Sequence, residues 1–384
     1  MSMEKEPIRF SPPEDGRVDL LIVAGEHSGD QHAARVVREL REKRPGLAIA
    51  ALGGPELAKA GAQVLHDLTA SSVVGLAEVL KNYSFFKALF DETLKWIGEY
   101  RPRAVMFVDY PGMNLRLAKA LHERGLSVKG GGAIKLLFYI SPQIWAWKAK
   151  RRFTMAEHLD ALAVIFPFEV ECYGDTALRP EFVGHPFLAD DHVAPVKYDP
   201  AAPVLLLPGS RKQAVGRIFP VMLRGFEKYA ERPAVVIYPS DDIEAVLRAA
   251  NPPKNVTLVR PKEGEVVAGS AVLTSSGTMS MHCALAGIPG AVVYRANPLT
   301  YVLGRMLVKV PYLGIANLLL KEPMYPEYIQ NVATADALAK ELRECVNEPV
   351  RRERTAALAG KLRKLLSKPA SGTAADWVLR WLNG

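Results

Sequence analysis

Short apolar runs recur along the chain, each closed by a polar or glycine-bearing turn and followed by a stretch of helical period. They lie at 18–24, 49–52, 104–108, 134–140 and 161–166, and the pattern restarts at 204–207, 234–238, 256–259, 271–273 and 291–293. Runs this short and this apolar predict strands buried on both faces, and the periodicity of segments such as 31–43 and 113–123 predicts helices between them. Strand and helix in alternation predict an α/β fold with parallel sheets.

The stretch 186–202 is polar, proline-bearing and without period, and 384 residues exceed what one core usually supports. The expected organisation is therefore a disordered lead-in at 1–17, an N-terminal domain at 18–185, a linker at 186–202 and a C-terminal domain at 203–365. A C-terminal helix at 366–384 is a candidate to pack back on the N-terminal domain.

Composition narrows the class. Hydrophobic content of 49% with 23% charged residues is ordinary for a soluble globular protein. No uncharged apolar run reaches the ~18 residues of a bilayer span, and the N-terminus lacks the apolar core of a signal peptide, so export is not expected. Cys172, Cys283 and Cys345 are scattered, with no CxxC and no histidine at ligand spacing, which argues against a disulfide or a metal site. A net charge of +8 and a pI near 9.2 favour an anionic partner, whether nucleic acid, membrane face or phosphorylated substrate.

Several turns carry candidate chemistry. The run 18–24 enters Gly25-Glu26-His27-Ser28-Gly29-Asp30, a glycine-bearing turn where doubly wound sheets hold ligands, although it is not GxGxxG. The run 104–108 delivers Asp109 at its end, either a general base or a carboxylate capping the next helix. Trp145 and Trp147 precede Lys148, Lys150, Arg151 and Arg152, a group suited to a sugar, a base or a membrane interface; no RNA-binding module surrounds it. Residues 71–94 place Val79, Tyr83, Phe85, Phe86 and Phe90 among Lys81 and Lys87, either a core-facing helix or an apolar, basic surface that docks on lipid. In the second half, 204–211 ends in Pro208-Gly209-Ser210-Arg211, and 271–273 runs through Ser275, Ser276 and Gly277 to Thr278, placed to cap a helix. Helix N-termini bind phosphate, so two such turns, one with an arginine, suit a diphosphate.

Two α/β halves with phosphate-type turns in the second resemble the GT-B architecture, in which two Rossmann-like domains with parallel sheets face a central cleft. The motifs go further. They include Ala24-Gly25-Glu26-His27-Ser28-Gly29-Asp30, Val74-Gly75-Leu76-Ala77-Glu78-Val79-Leu80, Asp109-Tyr110-Pro111-Gly112-Met113-Asn114, and 139–147 with its two tryptophans. Pro167-Phe168-Glu169, Val183-Gly184-His185-Pro186, Leu207-Pro208-Gly209-Ser210-Arg211, Ser276-Gly277-Thr278, Tyr294-Arg295, Asn317-Leu318-Leu319 and Glu327-Tyr328-Ile329-Gln330 complete the series. In that order they resemble the lipid-A-disaccharide synthase family along most of the chain.

The resemblance implies an inverting, metal-independent glycosyltransferase without cofactor. Its substrates would be UDP-2,3-diacylglucosamine and 2,3-diacylglucosamine 1-phosphate (lipid X), its products lipid A disaccharide 1-phosphate and UDP. Asp109 matches the family position proposed for the base, while Ser210, Arg211, Ser276, Gly277 and Thr278 would hold the diphosphate. Arg295, Asn317, Glu327 and Gln330 would stand on the donor side; Gly25, Glu26, Ser28 and Asp30 would line the acceptor side with Trp145 and Trp147. Val79, Tyr83, Phe85, Phe86 and Lys87 would face acyl chains and the cytoplasmic face of the inner membrane. A nucleic-acid partner is not expected, and a homodimer is compatible with the family. The sequence departs from the family where His282 replaces a glutamate suited to a ribose hydroxyl, though imidazole keeps one hydrogen bond for it, and where His27 replaces a small residue. A UDP-sugar 2-epimerase-like enzyme on the same fold, or a non-catalytic nucleotide-sugar or membrane-binding protein, is the alternative. The first predicts a non-acylated substrate, the second UDP affinity without turnover.

Overall fold

The computed structural model describes residues 8–72, 83–262, 264–297, 310–367, 369 and 371–383. The chain forms two compact units, residues 1–186 with 368–384, and residues 187–367. In the first, β1 (Leu20–Ala24), β2 (Ile49–Gly53), β3 (Gln63–Asp67), β4 (Ala104–Val108), β5 (Lys135–Tyr139), β6 (Ala161–Val164) and β7 (Glu181–Phe182) make one parallel sheet in the order β3-β2-β1-β4-β5-β6-β7. Every residue of β1, β2 and β4 is buried, as expected for strands covered by helices on both faces. Helix His27–Lys43 turns Ala33, Ala34, Val37 and Leu40 inward together with one charged residue, Asp30.

The second unit contains β8 (Val196–Tyr198), β9 (Val204–Leu207), β10 (Ala234–Ile237), β11 (Val256–Val259), β12 (Val267–Gly269), β13 (Ala271–Thr274), β14 (Gly290–Tyr294) and β15 (Glu327–Ile329). Its main sheet runs β11-β10-β9-β13-β14-β15, again parallel, and β8 pairs with β12 apart from it. Helix Lys212–Tyr229 covers one face together with Ala335–Asn347. They meet where Gly225 lies against Leu338, so closely that a Cβ on Gly225 would stand 2.6 Å from the Leu338 Cβ. Buried Arg351 joins Glu341 at 2.9 Å and also donates to Gly290 O and Met324 O, which ties helix Pro349–Leu366 to the sheet.

Four stretches differ from the sequence expectation. Within the lead-in, residues 8–17 lie on the first unit: Ile8 and Phe10 pack on its core, Phe10 N donates to Glu92 Oε1, and Trp96 Nε1 donates to Ser11 O. Two apolar side chains among prolines and charges were enough to anchor it. The stretch 187–202 contributes β8 to the second unit. The edge strands β3 and β15 went unread because they are half-exposed and carry polar residues, so they lack the apolar run of a central strand. At the C-terminus, helix Ala374–Asn383 buries Trp377, Val378 and Leu382 in the first unit, where Lys135 Nζ donates to Trp381 O at 2.7 Å.

Candidate active site

In the first sheet the strand order reverses between β1 and β4. Open α/β sheets place ligands beyond the carboxyl ends of strands at such a switch point. β1 leads there into Gly25 and Glu26, and β4 into Asp109 and Tyr110. Asp109 and Tyr110 both adopt left-handed backbone, each at φ 46°. Side-chain-bearing residues rarely take this conformation, and it persists only where the surroundings enforce it. Three contacts enforce it. Asp109 N donates to Tyr139 O at 3.0 Å, and the fully buried Asn114 donates from Nδ2 to Asp109 O at 2.8 Å, with Val23 O and Val108 O also in reach. Gly25 supplies the space, since a Cβ there would stand 2.2 Å from Tyr110 Cδ1.

Asp109 does not cap the following helix: Pro111–Glu123 starts after Tyr110 with no side-chain cap. Burial, and then the neighbouring Glu26 carboxylate, push its carboxyl up to about 6 against a hydrogen bond from the Tyr110 backbone. A carboxylate so placed is ionised at neutral pH yet still accepts a proton readily, the property a general base needs. Beyond the ends of β5 and β6 stands a row of rings. Trp145 meets Phe168 edge-on at 5.5 Å, Phe168 stacks on Phe166 at 5.9 Å, and Phe166 lies against His185 at 5.3 Å. Trp145 is half-buried in this row, whereas Trp147 is 51% exposed with Lys148 Nζ 4.2 Å from its ring centre.

Of the other residues expected on this side, Glu26 and Ser28 are exposed. Asp30 is not: it is fully buried, and its carboxylate accepts N–H bonds from Gly54 and Leu57 at one oxygen and from Glu56 at the other. It holds the start of helix Pro55–Lys59 instead of lining a binding surface. Of the expected lipid-facing group, Val79 lies outside the described residues and Tyr83 is described only as the first residue of helix Tyr83–Tyr100. Phe85 packs against the core, Phe86 is half-buried and meets Phe85 edge-on at 5.7 Å, and Lys87 is exposed near Asp91.

The second sheet reverses its order between β9 and β13, and the two anion-friendly turns stand at that switch point. Ser275 N donates to Leu207 O at 2.8 Å and holds them side by side. Gly209 turns the first at φ 109°, a conformation that favours glycine. Helix Lys212–Tyr229 follows Arg211, and helix Thr278–Leu285 follows Gly277; no side chain caps either. Thr278 is thus the first residue of its helix and not its cap. The outcome is two neighbouring helix N-termini with unclaimed N–H groups beside exposed Ser210 and Arg211 and half-buried Ser276.

The remaining donor-side residues are arranged otherwise than expected. Asn317 is 1% exposed, with its amide shared among Tyr325 N, Tyr325 O and Glu327. Glu327 accepts N–H bonds from Leu313 and Gly314, and Gln330 pairs with both N and O of Ala296. Arg295 donates to Ala333 O, and its Nε is buried without a partner. These four side chains all bond to the backbone after β14 and around β15. His282 is 7% exposed and stacks on Phe187 at 3.9 Å and His192 at 5.2 Å, a ring stack in place of an open ribose contact.

Two Rossmann-like parallel sheets, each with ligand turns at its switch point, define a GT-B-type fold. Solved structures agree at the level of fold. A putative UDP-N-acetylglucosamine 2-epimerase from Listeria monocytogenes matches with a TM-score of 0.58 and 13% identity over 94% of this chain and 95% of its own. The calicheamicin glycosyltransferase CalG4 matches at 0.56 with 16% identity over 96% and 99%. A family model described as lipid-A-disaccharide synthetase matches residues 20–377. The lipid-A-disaccharide synthase of Geobacter sulfurreducens is 35% identical over 94% of this chain and 97% of its own length, and that of Nitrosococcus oceani is 33% identical over 94% and 96%. The chain belongs to the lipid-A-disaccharide synthase family, glycosyltransferases of lipid A biosynthesis.

The placement of Asp30 has a direct test. Asp30→Ala leaves three N–H groups, two of them buried, without their acceptor and should cost about 1–3 kcal/mol of stability, read as a lower denaturation midpoint, with KM for either substrate little changed. A raised KM at unchanged stability would return Asp30 to the binding surface.

Proposed function

We propose that the chain transfers 2,3-diacylglucosamine from its UDP ester to the 6-hydroxyl of 2,3-diacylglucosamine 1-phosphate. The bond between C1 and the diphosphate oxygen breaks as the hydroxyl oxygen bonds C1 from the opposite face. The hydroxyl proton passes to Asp109 and the electron pair leaves with UDP, giving a β-1,6-linked disaccharide 1-phosphate. The observation that carries this reading is Asp109 itself, a half-buried carboxylate held up to about 6 at the switch point of one sheet. The second unit supplies the complementary chemistry: Arg211 and the free N–H groups after Gly209 and Gly277 match the charge that develops on a departing diphosphate.

The same reading gives the enzyme a peripheral place on the cytoplasmic face of the inner membrane. Exposed Trp147 and Phe153 among Lys148, Lys150 and Arg151 support it, since aromatic and cationic side chains together suit an anionic lipid surface. No helix among the described residues is long and apolar enough to cross a membrane.

Incubation with UDP-2,3-diacylglucosamine and lipid X, followed by mass spectrometry, should reveal the tetraacyl disaccharide 1-phosphate and UDP; a UDP-releasing reaction without disaccharide would refute the reading. Activity should rise with pH through about 6 as Asp109 ionises. Asp109→Asn should keep UDP affinity and lower turnover about 100-fold or more. Because folding favours the protonated form of Asp109, its contribution to stability is present at pH below 3.8 and is lost as pH rises through about 6. Asp109→Asn should therefore be more stable than the parent at pH 7, by about 1 kcal/mol or more; a variant that loses turnover because it unfolds would show the reverse. Arg211→Ala should weaken UDP binding about 10-fold or more in a calorimetric titration, and unchanged affinity would remove Arg211 from the diphosphate site.

A further inference from the structure

β6 gives way to a single turn at Pro167–Glu169, and Glu169 closes that turn on itself: Oε2 accepts the Phe166 N–H at 3.2 Å. Its carboxyl is 1% exposed, beside the row formed by Phe166, Phe168 and Trp145. The Trp145 indole N–H is buried and turned toward this carboxyl, though no well-formed hydrogen bond joins them. The titratable groups that face Glu169 are Asp109 from the end of β4, and Cys172 and Tyr173 from the next turn, where Glu171 adds another negative charge. Among the described residues, the main groups that act on it include no cation; Arg152, which reaches Cys172, is held by Asp175. A carboxylate buried among rings, with two backbone N–H groups and the Trp145 indole N–H to set against the loss of water and a second carboxylate acting on it, is more stable with its proton on.

We propose that Glu169 is a positioning residue of the transfer reaction that works as a neutral carboxylic acid, holding the Phe166, Phe168 and Trp145 wall beside Asp109 without bringing a second negative charge to the base. The inference rests on the reading of Asp109 as that base. Burial, and then the Asp109 charge, push the Glu169 carboxyl up to about 8. Above that pH the side chain must carry a buried charge, which strains the turn and opposes the approach of two phosphate-bearing substrates. Activity should then fall again through about 8, on the far side of the rise through about 6.

Glu169→Gln copies the neutral acid in shape and hydrogen-bonding capacity. It should keep kcat/KM within about 3-fold of the parent at pH 7 and lose the alkaline fall, while Glu169→Ala drops about 10-fold or more. An alkaline fall that persists unchanged in Glu169→Gln overturns the proposal. So does a Gln variant, folded and binding UDP normally, that is as poor as the Ala variant. Infrared titration of the unmutated protein decides the protonation state without catalysis. A protonated-carboxyl carbonyl band should disappear near pH 8, and in Asp109→Asn it should disappear at lower pH because the facing charge is gone. Absence of any such band overturns the proposal. Full activity of Asp109→Asn would instead refute the base assignment alone, with the infrared result still standing for Glu169.

Discussion

Asp109 leaves β4 where burial and Glu26 both oppose its charge, and the fold meets that opposition with backbone geometry instead of a counter-ion. Left-handed backbone at Asp109 and Tyr110 sets the direction of the carboxylate, Asn114 holds the carbonyls beneath it, and the missing Cβ of Gly25 lets the Tyr110 ring close over the neighbouring turn. A lysine or arginine at hydrogen-bond distance would make the site cheaper to fold, but it would lower the affinity of the carboxylate for a proton, and with it the strength of the base. On the proposed reading, the left-handed backbone and the raised protonation range serve one end: a carboxylate that is ionised but reluctant to be so.

The second unit solves the opposite problem by similar means. On the proposed reading a departing diphosphate needs positive potential, which the backbone N–H groups at two helix starts between β9 and β13, with Arg211 beside them, are suited to supply. Asn317, Glu327 and Gln330 act on the backbone of the same unit. Each uses its side chain on backbone N–H or C=O groups, around Leu313, Tyr325 and Ala296, so the segments that frame β14 and β15 are pinned by side chains in place of ladder hydrogen bonds. Removing any one frees a buried donor or acceptor, which costs more than the bond itself contributes.

The central strands and the turns after them were legible because an apolar run closed by glycine or proline has few other folded interpretations. That logic located Asp109, Arg211 and the Ser276–Thr278 turn. The direction of a side chain was not legible. Asp30 stands in a motif beside Gly25 and Glu26, yet lies four residues into a helix whose inner face turns it toward the start of Pro55–Lys59, a partner more than twenty residues away. His282 was read as a ligand position from its helix, while the residues that cover it, Phe187 and His192, lie in a segment without period. Glu169 was visible as a letter of a motif; its importance lies in being buried without a cation, which only packing reveals.

The charge requirements of base and leaving group also explain why one sheet does not carry both. Asp109 keeps its proton affinity because it is buried and Glu26 is its charged neighbour, and a diphosphate cradle at the same switch point would supply a positive field that lowers that affinity. The same acidic surroundings would repel a nucleotide diphosphate. With each sheet providing its own switch point, the acidic set of Glu26, Asp109 and Glu169 gathers at the ends of β1, β4 and β6, and the donor-rich set at the ends of β9 and β13. The second α/β unit therefore does more than enlarge the protein: on the proposed reading it lets two incompatible electrostatic environments persist in one chain, one suited to take a proton and the other to receive a departing anion.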